Sequence, residues 1–231
     1  MIRPPRRLIA AIDTADPSRA RDLIRAVSPH CGLVKLGLEA FCALGPAALD
    51  DAEQKPVFLD LKLHDIPNTV AGAVRALLPR QPAMLTIHAS GGAAMIEAAR
   101  NAAETGGTAR PMLLAVTVLT SLSAEALSET GIAGGPRRQV LRLAHLALGA
   151  GADGLVCGVA EIAPLRDAFG AGPVLVVPGI RPLGSDAGDQ ARVATPEAAI
   201  AAGADYLVVG RPITGAADPA SAAAAIAAAI T

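Results

Sequence analysis

The sequence predicts an α/β protein: a closed (β/α)8 barrel of the TIM type, formed as a single domain over residues 1–231. Eight short apolar runs recur along the chain, about one every 29 residues, close to the ~30 that a strand, its helix and the return occupy. Each run is nearly continuous in Val, Ile and Leu, as parallel strands covered on both faces require, and an Ala-rich stretch at helical spacing follows. After the first run, Ala11-Ile12-Asp13-Thr14-Ala15 lacks the glycines that a doubly wound open sheet favours there.

The first run is Leu8–Asp13, after which Asp16-Pro17 pairs an N-cap with a proline suited to the first helical turn. Leu33–Leu38, Val57–Leu63 and Met84–Ala89 are the next three. The fifth is Met112–Leu119. Gly154–Gly158 follows Gly151-Ala152-Asp153, and the same tripeptide returns as Gly203-Ala204-Asp205 before the eighth run, Tyr206–Arg211. Val174–Ile180 is the seventh. Thr195-Pro196-Glu197 and Asp218-Pro219 open the last two helices, the final one with Ile226 and Ile230 along one edge. No linker or charge run divides the chain.

Composition narrows the function. With 20 Lys+Arg against 21 Asp+Glu, the net charge of −1 leaves no basic surplus for nucleic acid or an anionic membrane. Aromatic residues are 2% of the chain, with no Trp and one Tyr, too few to stack bases. At 52% hydrophobic residues and a mean hydropathy of +0.44, a large core is expected. Cys31, Cys42 and Cys157 are odd in number and show no metal-ligand spacing, which favours a reducing, cytoplasmic setting. Arg6-Arg7 precedes an apolar stretch too short for a signal peptide, and the uncharged segment 111–124 is too short to span a bilayer.

Charge inside the apolar runs points to chemistry. Asp60 and Lys62 lie two apart on the third run, so both side chains share one face. A solvated pair at a strand end is the bland alternative, but Val57, Phe58 and Leu59 mark a deeply buried strand where unneeded charge is costly. Lys35 repeats the anomaly in Leu33-Val34-Lys35-Leu36; an edge lysine would snorkel outward, and a closed barrel has no edge. Asp13 ends the first run, where a turn or N-cap role is equally compatible. Arg181 after Val177-Pro178-Gly179-Ile180, and Arg211 after Val209-Gly210, follow runs seven and eight, where barrels often hold phosphate; simple strand-end capping is the alternative. The polar loop between them, residues 181–193, has the length of a lid. His88 reads more readily as a hydrogen-bonded structural residue than as a ligand, and no metal site is evident.

Asp60-Leu61-Lys62-Leu63-His64-Asp65-Ile66-Pro67-Asn68-Thr69 resembles, almost word for word, the signature of the orotidine 5′-phosphate decarboxylase family. Asp13, Val34-Lys35-Leu36-Gly37, the segment 117–121, Pro178-Gly179-Ile180-Arg181, Gly188-Asp189-Gln190 and Val209-Gly210-Arg211 extend the resemblance over essentially the whole chain. It implies a homodimeric barrel that needs no metal or organic cofactor. It further implies a charged network of Lys35, Asp60, Lys62 and Asp65 around the scissile carboxylate, with Lys62 as the acid and with Asp65 and Thr69 reaching in from the neighbouring subunit. Asp13 and Lys35 would hold the ribose, Thr120 would lie near the pyrimidine, and Arg181, Gln190, Gly210 and Arg211 would grip the phosphate. Related sugar-phosphate decarboxylases and aldolases keep a DxKxxD strand but use magnesium, with a carboxylate ligand where this chain has Lys35. A cation there would repel the metal. A non-catalytic phosphate-binding barrel is the remaining alternative, and it would have no use for the four charged residues together.

Overall fold

A computed structural model describes residues 7–52, 55–182 and 194–230. The elements run β1 (Leu8–Ile12), α1 (Pro17–Val27), β2 (Leu33–Leu36), α2 (Leu38–Leu44), β3 (Val57–Leu63), α3 (Pro67–Leu77), β4 (Met84–His88), α4 (Ala93–Glu104) and β5 (Met112–Val116). Then come α5 (Ala124–Glu129), α6 (Gly135–Gly149), β6 (Gly154–Val156), α7 (Val159–Phe169), β7 (Val174–Val177), α8 (Pro196–Ala201), β8 (Tyr206–Val209), α9 (Arg211–Thr214) and α10 (Pro219–Ala229). The eight strands are parallel and close in sequence order, β8 pairing with β1.

Strand alternation divides the core into two shells. Ile9, Leu33, Phe58, Met84, Leu114, Val176 and Val208 point inward and fill the barrel, while Leu8, Val34, Leu59, Leu85, Leu113, Leu175 and Leu207 face the helices. Along the first four strands the inward column changes character toward the C-terminal end. Ile9 and Ala11 give way to Asp13, Leu33 to Lys35, Phe58 to Asp60 and Lys62, and Met84 to Thr86 and His88. The barrel is therefore apolar at its floor and charged at its mouth.

The expected caps form: Asp16 accepts from Ser18 N and Arg19 N, Thr195 from Ala198 N and Asp218 from Ser221 N. Seven expected strands overrun the observed ones, by as much as three residues in β5 and β7, because at the mouth the chain leaves the ladder while most of the following residues are still apolar or glycine. Val118, for example, is buried beyond the end of β5 and lines the cavity described below. Among the described residues no helix is long and apolar enough to cross a membrane.

The repeated Gly-Ala-Asp tripeptide is a clamp at the opposite end of the barrel. Asp153 N donates to Leu113 O at 2.9 Å while its carboxylate accepts from Leu113 N at 2.8 Å; Asp205 repeats both bonds with Leu175 at 3.0 and 2.8 Å. Each aspartate thus fixes the register of the preceding strand. Arginines complete the clamps: Arg100 and Arg110 donate to Asp153 at 2.7 to 2.9 Å, and Arg166 to Asp205 at 2.6 Å. Both glycines have positive φ, +94° at Gly151 and +108° at Gly203, and an added Cβ would press on the stems of Arg100 and Arg166 respectively.

Burial alone would push the Asp153 carboxyl above the usual carboxylate range, but hydrogen bonds from Arg110, Leu113 N and Arg100, with the Arg110 charge, hold it below. Such a group stabilises the fold above its unfolded pKa, and the contribution is lost as pH falls through the depressed folded value. Asp153→Asn should therefore cost about 2 kcal/mol in urea unfolding near neutral pH, the scale of hydrogen bonds to a charged group. The gap to the unsubstituted protein should narrow below about pH 4, where the unfolded carboxylate takes up its proton.

Candidate active site

At the C-terminal ends of the strands a cavity of about 420 Å³ opens above the apolar floor of Ala11, Phe58, Val156 and Val208. Its volume suits a ligand of nucleotide size rather than a macromolecule. Asp13, Lys35, Asp60 and Lys62 line one side; Thr120 lies at another, and Arg181, Gly210 and Arg211 line the rim after β7 and β8.

The four charged side chains form one alternating row. Lys35 Nζ donates to both Asp13 oxygens at 3.2 and 3.1 Å and lies 3.6 Å from Asp60. Lys62 Nζ donates to both Asp60 oxygens at 2.9 Å. The order is anion, cation, anion, cation across β1, β2 and β3, so the row is neutral as a whole. Lys35 is the most deeply placed of the four, its side chain 8% exposed against 30% for Lys62, whose ammonium faces the cavity. Burial raises the Asp60 carboxyl, but Lys35, Lys62 and the hydrogen bonds from Lys62 and Thr86 outweigh it, so Asp60 is held ionised below the usual carboxylate range.

The backbone bends to achieve this. Lys62 has φ +50°, in the left-handed region that a lysine rarely adopts, and the β3–β4 register shifts between Leu59 and Leu63. Residues held this way cost about 1–3 kcal/mol and persist where the surroundings over-determine them. Here Lys62 N donates at 2.8 Å to Thr86 Oγ1. Beside it His64 and His88 stack with ring centroids 5.4 Å apart, and burial, then His64 and Lys62, lower the His88 pKa, so that histidine adds no charge near neutral pH. Two cysteines are buried against apolar neighbours, and burial pushes their thiols up, Cys31 to about 11 and Cys157 to about 12, so neither is a thiolate.

The expected site residues divide into three groups. Asp13, Lys35, Asp60, Lys62, Thr120, Arg181, Gly210 and Arg211 converge on the cavity. Asp65 and Thr69 do not: Asp65 accepts from Ile66 N at 2.6 Å, and both side chains are exposed on the chain's own surface. Gln190, with Gly188, Asp189 and most of the 181–193 loop, lies outside the described residues. The ends of that loop are joined, Ile180 bridging Ala194 and Arg181 N donating to Ala194 O at 2.9 Å.

Gly37 is a residue that the motif contained and charge reasoning passed over. A Cβ there would overlap Asp13 Oδ1 and approach Lys35 Nζ to 2.9 Å, so the bare glycine makes room for the ion pair. Its signal in the sequence is faint, a glycine two positions after a buried lysine.

A family model described as "Orotidine 5'-phosphate decarboxylase / HUMPS family" matches residues 6–226. The chain is 56% identical over 229 residues to the orotidine 5'-phosphate decarboxylase of Anaeromyxobacter sp. (strain K), an alignment covering 98% of this chain and 99% of the relative. It is 57% identical over 224 residues to that of Gluconobacter oxydans (strain 621H), covering 95% of each. A crystal structure of orotidine 5'-phosphate decarboxylase from Lactobacillus acidophilus superimposes with a TM-score of 0.85 at 36% identity, covering 99% of both chains.

Gly37→Ala should separate Asp13 from Lys35 to beyond about 4 Å in a crystal structure, past ion-pair contact, while the melting temperature moves by only a few degrees, because the added methyl meets side-chain ends at the mouth and not the core.

Proposed function

The chain belongs to the orotidine 5'-phosphate decarboxylase / HUMPS family and is a carboxy-lyase that converts orotidine 5′-monophosphate to uridine 5′-monophosphate in pyrimidine biosynthesis; we propose that it does so by metal-free electrostatic catalysis centred on Asp60 and Lys62. The alternating row Asp13, Lys35, Asp60, Lys62 at the cavity wall is the observation that carries this mechanism.

Breaking the bond between C6 and the carboxylate leaves an electron pair in an orbital outside the ring π-system, where no delocalising group can accept it. Fixed charge must stabilise it instead. Carbon dioxide departs, and the pair on C6 takes a proton from the Lys62 ammonium, leaving a neutral amine that solvent reprotonates. Asp60, ionised beside the substrate carboxylate, repels that charge in the ground state more than after it has dispersed into carbon dioxide. Asp13 and Lys35 hold the ribose hydroxyls and Thr120 the pyrimidine edge. Arg181, Gln190, Gly210 and Arg211 take the phosphate, whose binding energy holds the reacting end of the substrate against the charged row. No metal has a place in this scheme, because Lys35 stands where the magnesium-dependent relatives carry a carboxylate.

The functional unit is a homodimer in the cytoplasm, with Asp65 and Thr69 completing the neighbour's site. Support comes from the exposed face that carries them: Ile66, between the two, is 67% exposed, an unusual position for an isoleucine next to a site wall. A two-fold axis would set each such face against the other mouth and bring one carboxylate to each Lys62.

In buffer with EDTA the unsubstituted protein should consume orotidine 5′-monophosphate fully, and folded Lys62→Ala should lose more than about 10⁴-fold in kcat, since one group supplies both the proton and the charge. Loss of activity on chelation, or retention of more than about a hundredth of kcat in Lys62→Ala, would overturn the mechanism. The shared site has its own test. Inactive Lys62→Ala and Asp65→Asn proteins, dissociated and reassociated at random, should regain about a quarter of the full complement of active sites, because one site of each heterodimer is intact. No recovery after verified exchange would mean that Asp65 serves its own chain.

A further inference from the structure

We propose that Thr86 is a positioning residue for the decarboxylation: its one hydroxyl ties the Asp60 carboxylate to the main chain of Lys62 and so sets the two reacting groups relative to each other. Thr86 sits in the middle of β4, wholly buried, on the inward column between Met84 and His88. It lies behind Asp60 and away from the cavity wall, so it does not touch substrate.

The hydrogen-bond directions are forced. Lys62 N–H can only donate, and it donates to Thr86 Oγ1 at 2.8 Å. The single hydroxyl proton of Thr86 then goes to Asp60 Oδ1 at 3.0 Å, an oxygen that also accepts from Lys62 Nζ. A closed ring results, from the Lys62 main chain through Thr86 and Asp60 to the Lys62 side chain. At this point the register shift on β3 takes Lys62 out of regular pairing and gives it φ +50°. Without the hydroxyl, a buried N–H would have no partner and the carboxylate would lose a donor that does not move with the lysine. Two lysine contacts alone would leave Asp60 free to rotate with flexible ammonium groups, whereas a β-branched residue locked in a strand fixes one oxygen in place.

Valine keeps the branched shape of threonine and puts a methyl, which can neither donate nor accept, in place of the hydroxyl. Resting on the assignment of Asp60 and Lys62 as the reacting pair, which the Lys62→Ala assay tests separately, Thr86→Val should lower kcat about ten- to a hundredfold, the scale of one hydrogen bond to a charged group. KM should stay within about threefold, because phosphate and ribose contacts are untouched. Thr86→Ser restores donor and acceptor and should return kcat to within about threefold of the unsubstituted enzyme. Where Thr86→Val fails to accumulate as folded protein, Thr86→Ala removes the same hydroxyl without new bulk and carries the same expectation. The proposal is overturned if the folded variant lacking the hydroxyl keeps kcat within about threefold, if KM rises in step with the fall in kcat, or if Thr86→Ser falls as far as the valine variant.

Discussion

Burial in the mouth of a barrel favours the protonated form of a carboxyl group unless opposite charge or hydrogen bonds offset it, and the rest of this site follows from how Asp60 meets that condition. Its side chain is 14% exposed, enough burial to favour the protonated acid. Lys35 at 3.6 Å and Lys62 at 2.9 Å reverse that preference. Lys35 in turn has Asp13 on its other side, and without it Asp60 alone would face both lysines. Each member of the row is tolerable only because its neighbours carry the opposite sign, and removing one exposes the next. The same dependence is what the proposed mechanism draws on, since it assigns the reaction to Asp60 and Lys62.

The scaffold serves that row in two ways. The apolar floor from Ile9 to Val208 leaves the barrel packed below the charges, so the strands cannot drift relative to one another. Next to the charges, small adjustments make room and fix direction: a glycine at position 37 where any side chain would collide, a shifted register on β3, and a buried hydroxyl at Thr86. At the far end the aspartate clamps at 153 and 205 hold the register of β5 and β7, remote from the chemistry. The aspartate clamps and the proposed catalytic row thus occupy opposite ends of one barrel, as the fold allows.

The alternation of strand side chains made much of this readable beforehand. Asp60 and Lys62 at i and i+2 do share a face, and Lys35 inside a buried run does find carboxylates. What stayed hidden depends on contacts between distant strands. Thr86 reads as one polar residue in Met84-Leu85-Thr86-Ile87, and only the shift of β3 against β4 brings it under Lys62. Val57–Leu63 reads as an unbroken strand, so nothing local announces the left-handed backbone at Lys62. The Gly-Ala-Asp repeat was visible as a repeat, but its clamp requires the stagger of neighbouring strands. Asp65 and Thr69 were recognised by resemblance alone, and a single chain leaves them facing solvent.

Because everything rests on Asp60 being ionised between two lysines, its titration is the most direct measurement. The carboxyl carbon of Asp60, followed by carbon-13 NMR in the folded, ligand-free enzyme and assigned with Asp60→Asn, should titrate below the ordinary aspartate value of about 3.9 and stay charged throughout the range of activity. A midpoint at or above that value would mean that burial has outweighed Lys35 and Lys62, and an account built on fixed opposing charges would not stand.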